Sequence, residues 1–314
     1  MNDVAEDIQR QGILPVVRPK NTRQAVGAVN ALARENMKIV EFPWDAAAAT
    51  EILEKVREEC RGVRFGCSYI RKTEQIQTAA LAGAEFFVIS ALNKEAIDCA
   101  RDLGMKVFPA AGTLGEIEAA VCQGFDRICI EPIELLGGAD LFYRLKRTYP
   151  GIRFMPRGGI TTETAEDYLS FSNVFSCAGS WLAQEDLMET SSWEAIGEMA
   201  MEAMYAMLGF QVLSIDFPAF PESAGVSEKV SKMFHLEEAV VFTEETFPKN
   251  ASARLTISTN HIKRSVAYLE SKGYKFLVDE APKNAKGGYP YVYLADTING
   301  TLVRLFQKNS RADG

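Results

Sequence analysis

The chain has 314 residues, of which 47% are hydrophobic and 24% charged, and its formal net charge is −8. That length suggests two domains, and an acidic balance without clustered Lys or Arg excludes a nucleic-acid-binding surface. No run of about 18 apolar residues occurs, so no membrane span is expected, and the acidic start MNDVAEDIQRQG does not fit a signal peptide.

Six cysteines are scattered at Cys60, Cys67, Cys99, Cys122, Cys129 and Cys177, with no C-x-x-C pair. Neither a disulfide framework nor a zinc site is expected from such spacing. Reduced thiols in a cytoplasmic protein are the expectation. The two histidines, His235 and His261, both fall late in the chain. The first two thirds can therefore hold no histidine-based metal or acid–base site, and no metal or cofactor is expected.

Short apolar runs recur along the first two thirds. In chain order they are GILPVVR from Gly12, KIVEFPW from Lys38, VRFGCS from Val63 and EFFVIS from Glu85. KVFPAA from Lys106, RICIEP from Arg127, IRFMPRGG from Ile152 and VFSCAGS from Val174 follow. Near-continuous apolar character suits parallel strands buried on both faces. Between them, stretches such as TRQAVGAVNALAREN, AAAATEILEKVREEC and TEQIQTAALAGA carry apolar residues at helical spacing. Thr22 and Thr162 stand where N-caps belong, and Gly83 and Gly104 where helices close. Eight strand–helix units at intervals of about 20–26 residues predict an α/β fold, a (β/α)8 TIM barrel over residues 1–207. The alternative, a doubly wound open sheet, calls for a glycine-rich turn after the first strand, which GILPVVRPKN lacks.

Active sites of this fold lie at the C-terminal ends of the strands. The residues there include Arg18, Glu41, Asp45, Tyr69, Ser90, Thr113, Cys129, Glu131, Arg157 and Ser180. Strand alternation puts Arg127, Cys129 and Glu131 on one face. Glycine-bearing turns follow the seventh strand (Arg157, Gly158, Gly159) and the eighth (Gly179, Ser180), where barrels commonly bind phosphate. Glu41 is either a rim carboxylate paired with Arg18 or Lys38, or a proton-transfer group. Cys129 is either a small core residue or a thiol activated by Arg127 and Arg157. A buried, unpaired guanidinium is costly, so Arg157 is expected to pair with Glu131 or Glu41; the alternative is that it swings outward into solvent above the Gly158 turn.

GILPVVR, the VE of KIVEFPW, FFVIS, FPAAGT, EPIELLGG, RFMPRGGIT and AGSWL, in that order, resemble the 2-keto-3-deoxy-6-phosphogluconate and 4-hydroxy-2-oxoglutarate aldolase family over about residues 6–205. The resemblance implies a class I aldolase, a cytoplasmic homotrimer acting on a small phosphorylated keto acid. A strand-six lysine would form the Schiff base, and a strand-two glutamate would shuttle protons. Glu41 falls on that glutamate, Arg18 on an arginine common after strand one, and Gly158, Gly159, Gly179 and Ser180 on the phosphate turns. Thr113 and Arg157 join the candidate binding residues, with Asp45, Tyr69 and Glu131 lining the pocket. The lysine position, three before Pro132, is Cys129. The family's carboxylate-holding arginine and threonine fall on Asp45 and Tyr69, and its strand-seven threonine on Arg157. A thiol cannot form an imine, and the lysine in the fifth strand, Lys106, stands at the wrong end.

Beyond residue 207 the runs GFQVLSIDF, AVVFTEE, ARLTIST, YKFLVDE, YPYVYLAD and GTLVRLFQ read as strands. SAGVSEKVSKMFH and NHIKRSVAYLESKG read as helices. From Ala253 to Gln307 the order resembles a βαβββ module of the glyoxalase-like (vicinal oxygen chelate) superfamily, giving a small α+β domain over 208–314. The metal-binding His and Glu of that superfamily have no counterpart; the last strand carries Arg304 and Gln307, and the two histidines sit at helices on a solvated face. An interaction or oligomerisation role is the expectation for this module. Three functions stay open: an aldolase-type lyase, a catalytically inactive anion-binding protein, and an enzyme of changed chemistry using Glu41 as base.

Overall fold

The computed structural model describes residues 3–44, 48–90, 92–218, 240–243, 247, 251–284 and 288–308. Each of the eight apolar runs of the first two thirds forms a strand: β1 Ile13–Pro15, β2 Ile39–Pro43, β3 Arg64–Ser68, β4 Phe86–Ser90, β5 Lys106–Ala111, β6 Arg127–Ile130, β7 Arg153–Pro156 and β8 Cys177–Gly179. β2 to β7 make a six-stranded parallel sheet in sequence order, and β1 pairs with β8 in parallel. Bridges from Val16 to Glu41 and from Arg157 to Ala178 join the pair to both ends of the sheet. The strands thus follow one another round a ring, an α/β arrangement consistent with a TIM-like fold.

The helices between strands follow from their apolar spacing. Thr22–Arg34 (α2) buries Ala25, Ala28, Val29 and Leu32. Its N-cap is Asn21, whose side chain accepts from the Gln24 amide at 3.0 Å, one residue before the expected Thr22. The helix Thr162–Leu169 is likewise capped by Thr161, which forms a reciprocal box with Thr164. In both cases the preceding extended residue wins because a cap needs non-helical backbone. Gly83 ends its helix at φ 108°, in the left-handed region that suits a residue without Cβ.

Alternation decides what fills the ring. Leu14, Val16, Ile39, Phe86, Val88, Phe108, Ala110, Cys129 and Met155 point inward and form one buried cluster. Gly66 shares that face, and any Cβ there would collide with the Phe86 ring. The first segment, read only as an unsuitable leader, is the helix Val4–Gln11 (α1), capped by Asp3. Its Val4, Ala5 and Ile8 close the N-terminal end of the ring from below, and each large apolar side chain buried there contributes roughly 1.5–3 kcal/mol.

Contacts divide the chain between Ala206 and Met207. The second unit is a mixed sheet of β9 Gln211–Pro218, β10 Val240–Thr243, β11 Ala253–Thr259, β12 Tyr291–Tyr293 and β13 Thr301–Gln307, in the order β10-β9-β11-β13-β12. The helix Ile262–Ser271 packs Ile262 and Val266 onto Ile257, Val292 and Leu305. YKFLVDE does not become a full strand. It makes one antiparallel bridge, Phe276 to Leu294, because only Lys275 and Leu277 exchange further backbone bonds with the neighbouring segment. The expected helix SAGVSEKVSKMFH, with His235, lies outside the described residues, as does Asp45. His261 is not on a solvated face: burial pushes its imidazole well below the usual range, helped by Arg264. Gln307 is structural. Its Oε1 accepts from the Ile262 amide at 2.8 Å and its Nε2 donates to the Asn260 carbonyl at 2.6 Å.

Candidate functional site

The C-terminal ends of β1, β2, β6 and β7 bring four charged groups to the mouth of the ring. Val16, Ile39, Cys129 and Met155 face inward, so two residues further along Arg18, Glu41, Glu131 and Arg157 share that face. Arg157 is 3% exposed and Glu41 0%. Arg157 Nη1 and Nη2 donate to the two Glu41 carboxylate oxygens at 2.6 and 2.7 Å, a bidentate pair. Arg157 Nε donates to Glu131 Oε2 at 3.1 Å. The inward pairing thus engages both carboxylates. Burial opposes the guanidinium's charge, but Glu41 outweighs it and holds the Arg157 pKa well above its ordinary value.

The network continues outward. Tyr69 Oη donates to Glu131 Oε1 at 2.9 Å, and the Arg18 guanidinium lies 5.1 Å from the Tyr69 ring centre. Burial, then Glu131, raises the Tyr69 pKa, so the phenol stays a donor. Tyr69 has φ 55°, a left-handed backbone that costs a non-glycine residue on the order of 1 kcal/mol or more. Just before it, Ser68 is 2% exposed and its Oγ has no hydrogen-bond partner. Outside this network lies an open cleft of about 560 Å³ lined by Arg18, Trp44, Tyr69, Arg71 and Gln75. Sequence reasoning missed Trp44, Arg71 and Gln75. Trp44 read as the end of a strand and Gln75 as part of a helical stretch, while Arg71 falls between a strand and a helix.

Cys129 is fully buried in the middle of β6, below the Arg157 pair. Burial drives its thiol pKa far up, with Arg157 opposing only in part. These surroundings favour the neutral thiol over a thiolate. Arg127 does not assist; it sits at the other end of the ring, paired with Glu6 of α1. Lys106, the lone lysine within β1 to β8, also lies at that end, 3.4 Å from Asp3.

The two glycine turns come together through the Arg157–Ala178 bridge, and Trp181 Nε1 donates to Thr162 Oγ1 at 3.2 Å beside them. Gly158 and Gly159 have φ of 84° and 67°, conformations that glycine adopts without strain. The Glu134 carboxylate occupies the position a Cβ on Gly159 would take. Ser180 is exposed beside the turn. Thr113 is the N-cap of Leu114–Cys122, its hydroxyl accepting from the Glu116 amide at 3.2 Å. Among the described residues no group of three or more His, Cys, Asp or Glu could hold a metal, and no helix is long and apolar enough to cross a membrane.

The family model for the KDPG and KHG aldolases matches residues 4–199. The chain belongs to that family. It is 28% identical over 204 residues to the 2-dehydro-3-deoxy-phosphogluconate aldolase of Treponema pallidum, covering 65% of this chain and 97% of the relative. It is 25% identical over 201 residues to the KHG/KDPG aldolase of Escherichia coli K12, covering 64% and 94%. In fold it is similar to the KDPG aldolase of Legionella pneumophila, captured with pyruvate as a covalent carbinolamine, at TM-score 0.61 and 21% identity over 64% of this chain and 98% of that one. It is similar also to the Zymomonas mobilis aldolase with 3-phosphoglycerate, at TM-score 0.58 and 23% identity over 63% and 94%. The family match ends at residue 199, before the mixed-sheet unit begins at Met207.

Proposed function

We propose that this member of the KDPG and KHG aldolase family binds a small anionic, keto-acid-like ligand at the mouth of its ring and does not perform Schiff-base aldol chemistry. The observation that carries the reading is the buried Arg157–Glu41–Glu131 network. By the family resemblance the imine-forming lysine falls on Cys129, and a thiol gives no imine. Burial raises the Cys129 pKa, which weighs against it as a nucleophile. Glu41 has both oxygens held by Arg157, so it is poorly placed to shuttle a proton to a substrate. That weighs against the reading of a changed enzyme with Glu41 as base. The guanidinium fills space at the strand-seven position where the family resemblance puts a small threonine.

Relatives named for phosphorylated sugar-acid substrates support an anionic ligand. The candidate contacts are Arg18, Thr113, Arg157, Gly158, Gly159, Gly179 and Ser180, with Tyr69 and Glu131 about them; Asp45, a pocket residue by the family resemblance, lies outside the described residues. Within the same proposal the ring is a closed (β/α)8 barrel, the protein a cytoplasmic homotrimer, and the second unit a glyoxalase-like module. The parallel β11–β13 pair with β12 antiparallel to β13 supports the last point. The test is borohydride reduction in the presence of pyruvate, followed by intact mass. No adduct is expected, while 3-phosphoglycerate binds in calorimetry; a pyruvyl adduct on any lysine would overturn the reading.

A further inference from the structure

The sheet of the second unit has two faces of different character. Toward the helix Ile262–Ser271 it turns Ile257, Val292 and Leu305. Alternation puts Leu302, Arg304 and Phe306 of β13 on the opposite face, where Leu302 packs with Phe247 and Tyr293. Thr256 of β11 and Tyr293 of β12 both pair with Arg304 across the strands, and Tyr291 pairs with Phe306. Thr256, Arg304 and Tyr293 thus form one row, with Phe306 and Tyr291 alongside it.

Two arginines share this face and are treated differently. Arg254, next along that face of β11, is buried, and its Nε donates to the Asp216 carboxylate at 2.6 Å. Arg304 has no ion-pair partner among the described residues; its Nε and Nη2 both donate to Thr256 Oγ1, at 3.2 and 3.0 Å. Thr256 is fully buried, so it fixes the guanidinium plane from one side. The donors at the end formed by Nη1 and Nη2 are left over, the edge that takes a carboxylate bidentately. The Tyr291 ring centre lies 5.6 Å from Arg304 Cζ, and the Tyr291 and Tyr293 rings meet edge to face at 5.6 Å. Arg304, both tyrosines and Phe306 are half-buried, each with surface still open. A partly buried cation beside only a neutral hydroxyl favours an anion, and the tyrosines beside it offer ring surface to a planar apolar body.

We propose that this face is a second ligand site, for a small aromatic carboxylic acid. Arg304 takes the carboxylate, and Tyr291 and Tyr293 flank the ring. The site needs no ligand at the mouth of the strand ring.

The experiment titrates benzoate, cyclohexanecarboxylate and inorganic phosphate into the full chain by calorimetry. Benzoate should bind, with phosphate about tenfold weaker because it leaves the ring surface unused. Arg304→Gln should weaken benzoate about tenfold, the loss of a charge-assisted pair. Arg304→Lys, which keeps the charge without the fork, should recover only part of that. Tyr291→Leu should lower benzoate to the level of cyclohexanecarboxylate. Thermal midpoints of the variants separate lost binding from lost fold, and 3-phosphoglycerate should bind Arg304→Gln as it binds the parent. Benzoate that does not bind the parent, that binds Arg304→Gln equally well, or that phosphate matches would overturn the proposal and leave the reading of the mouth untouched.

Discussion

The two ends of the strand ring treat charge in opposite ways. At the N-terminal end, Lys106, Arg127 and Arg64 reach Asp3, Glu6 and Asp7 of α1, and every pair keeps water on at least one partner, with Glu6 53% exposed. At the C-terminal end, Arg157 and Glu41 are sealed off at 3% and 0%. The chemistry is the same, but the consequence is not. Pairs open to water contribute little because solvent screens them. A buried pair gains little over apolar packing yet is costly to break, since removing one partner strands the other charge. One end is a seal that tolerates change; the other is a lock.

The sharpest way to break this comparison is Arg157→Thr. It restores the small hydroxyl residue of the family pattern but leaves Glu41 uncompensated, and should cost about 3–5 kcal/mol in urea unfolding. A variant as stable as the parent would mean the pair does not hold the mouth together.

Tyr69→Phe comes next. It deletes the hydroxyl that donates to Glu131 and should cost about 1 kcal/mol. It also reports on pH. The folded Tyr69 pKa is raised, by burial first and then by Glu131. Its contribution is therefore full below the ordinary value near 10 and is lost as pH rises through the folded value. Stability measured from pH 8 to 11 should fall more steeply in the parent than in Tyr69→Phe; parallel curves would contradict the assignment.

At the other end, Glu6→Gln removes the partner of Arg127 and should cost less than about 1 kcal/mol, shrinking further with added salt. A loss as large as that of Arg157→Thr would erase the distinction between seal and lock. The smallest expected effect is on thiol labelling. Iodoacetamide at pH 8 should modify exposed Cys122 and leave buried Cys129 untouched. Labelling of native Cys129 would show that the interior below the pair opens to solvent.

Most of the ring was legible because its signal is local. Eight apolar runs with helical stretches between them fix strands and helices through periodicity alone, and alternation along β6 puts Cys129 and Glu131 on one face. That a permanent cation at position 157 needs an inward carboxylate follows from the cost of burying charge, so a pairing with Glu41 or Glu131 could be read from residue types. Helix α1 is less legible: Asp3, Val4 and Ile8 carry a cap and an apolar face, but two turns offer too short a window for periodicity to stand out from a polar leader.

Tertiary structure alone decided the rest. No local rule says that Arg157 takes both carboxylates at once, since Glu41 lies 116 positions away and the bidentate geometry depends on how β2 faces β7 across the ring. The cleft of Trp44, Arg71 and Gln75 was invisible for the same reason. Its residues come from the ends of two neighbouring strands and the first turn of a helix, and only the parallel pairing of β2 with β3 sets them side by side. Sequence fixes what each segment becomes, through backbone and solvent preferences acting over a few residues. Closure of the ring sets the distances between segments, and distance governs which charges cancel and which remain for a ligand.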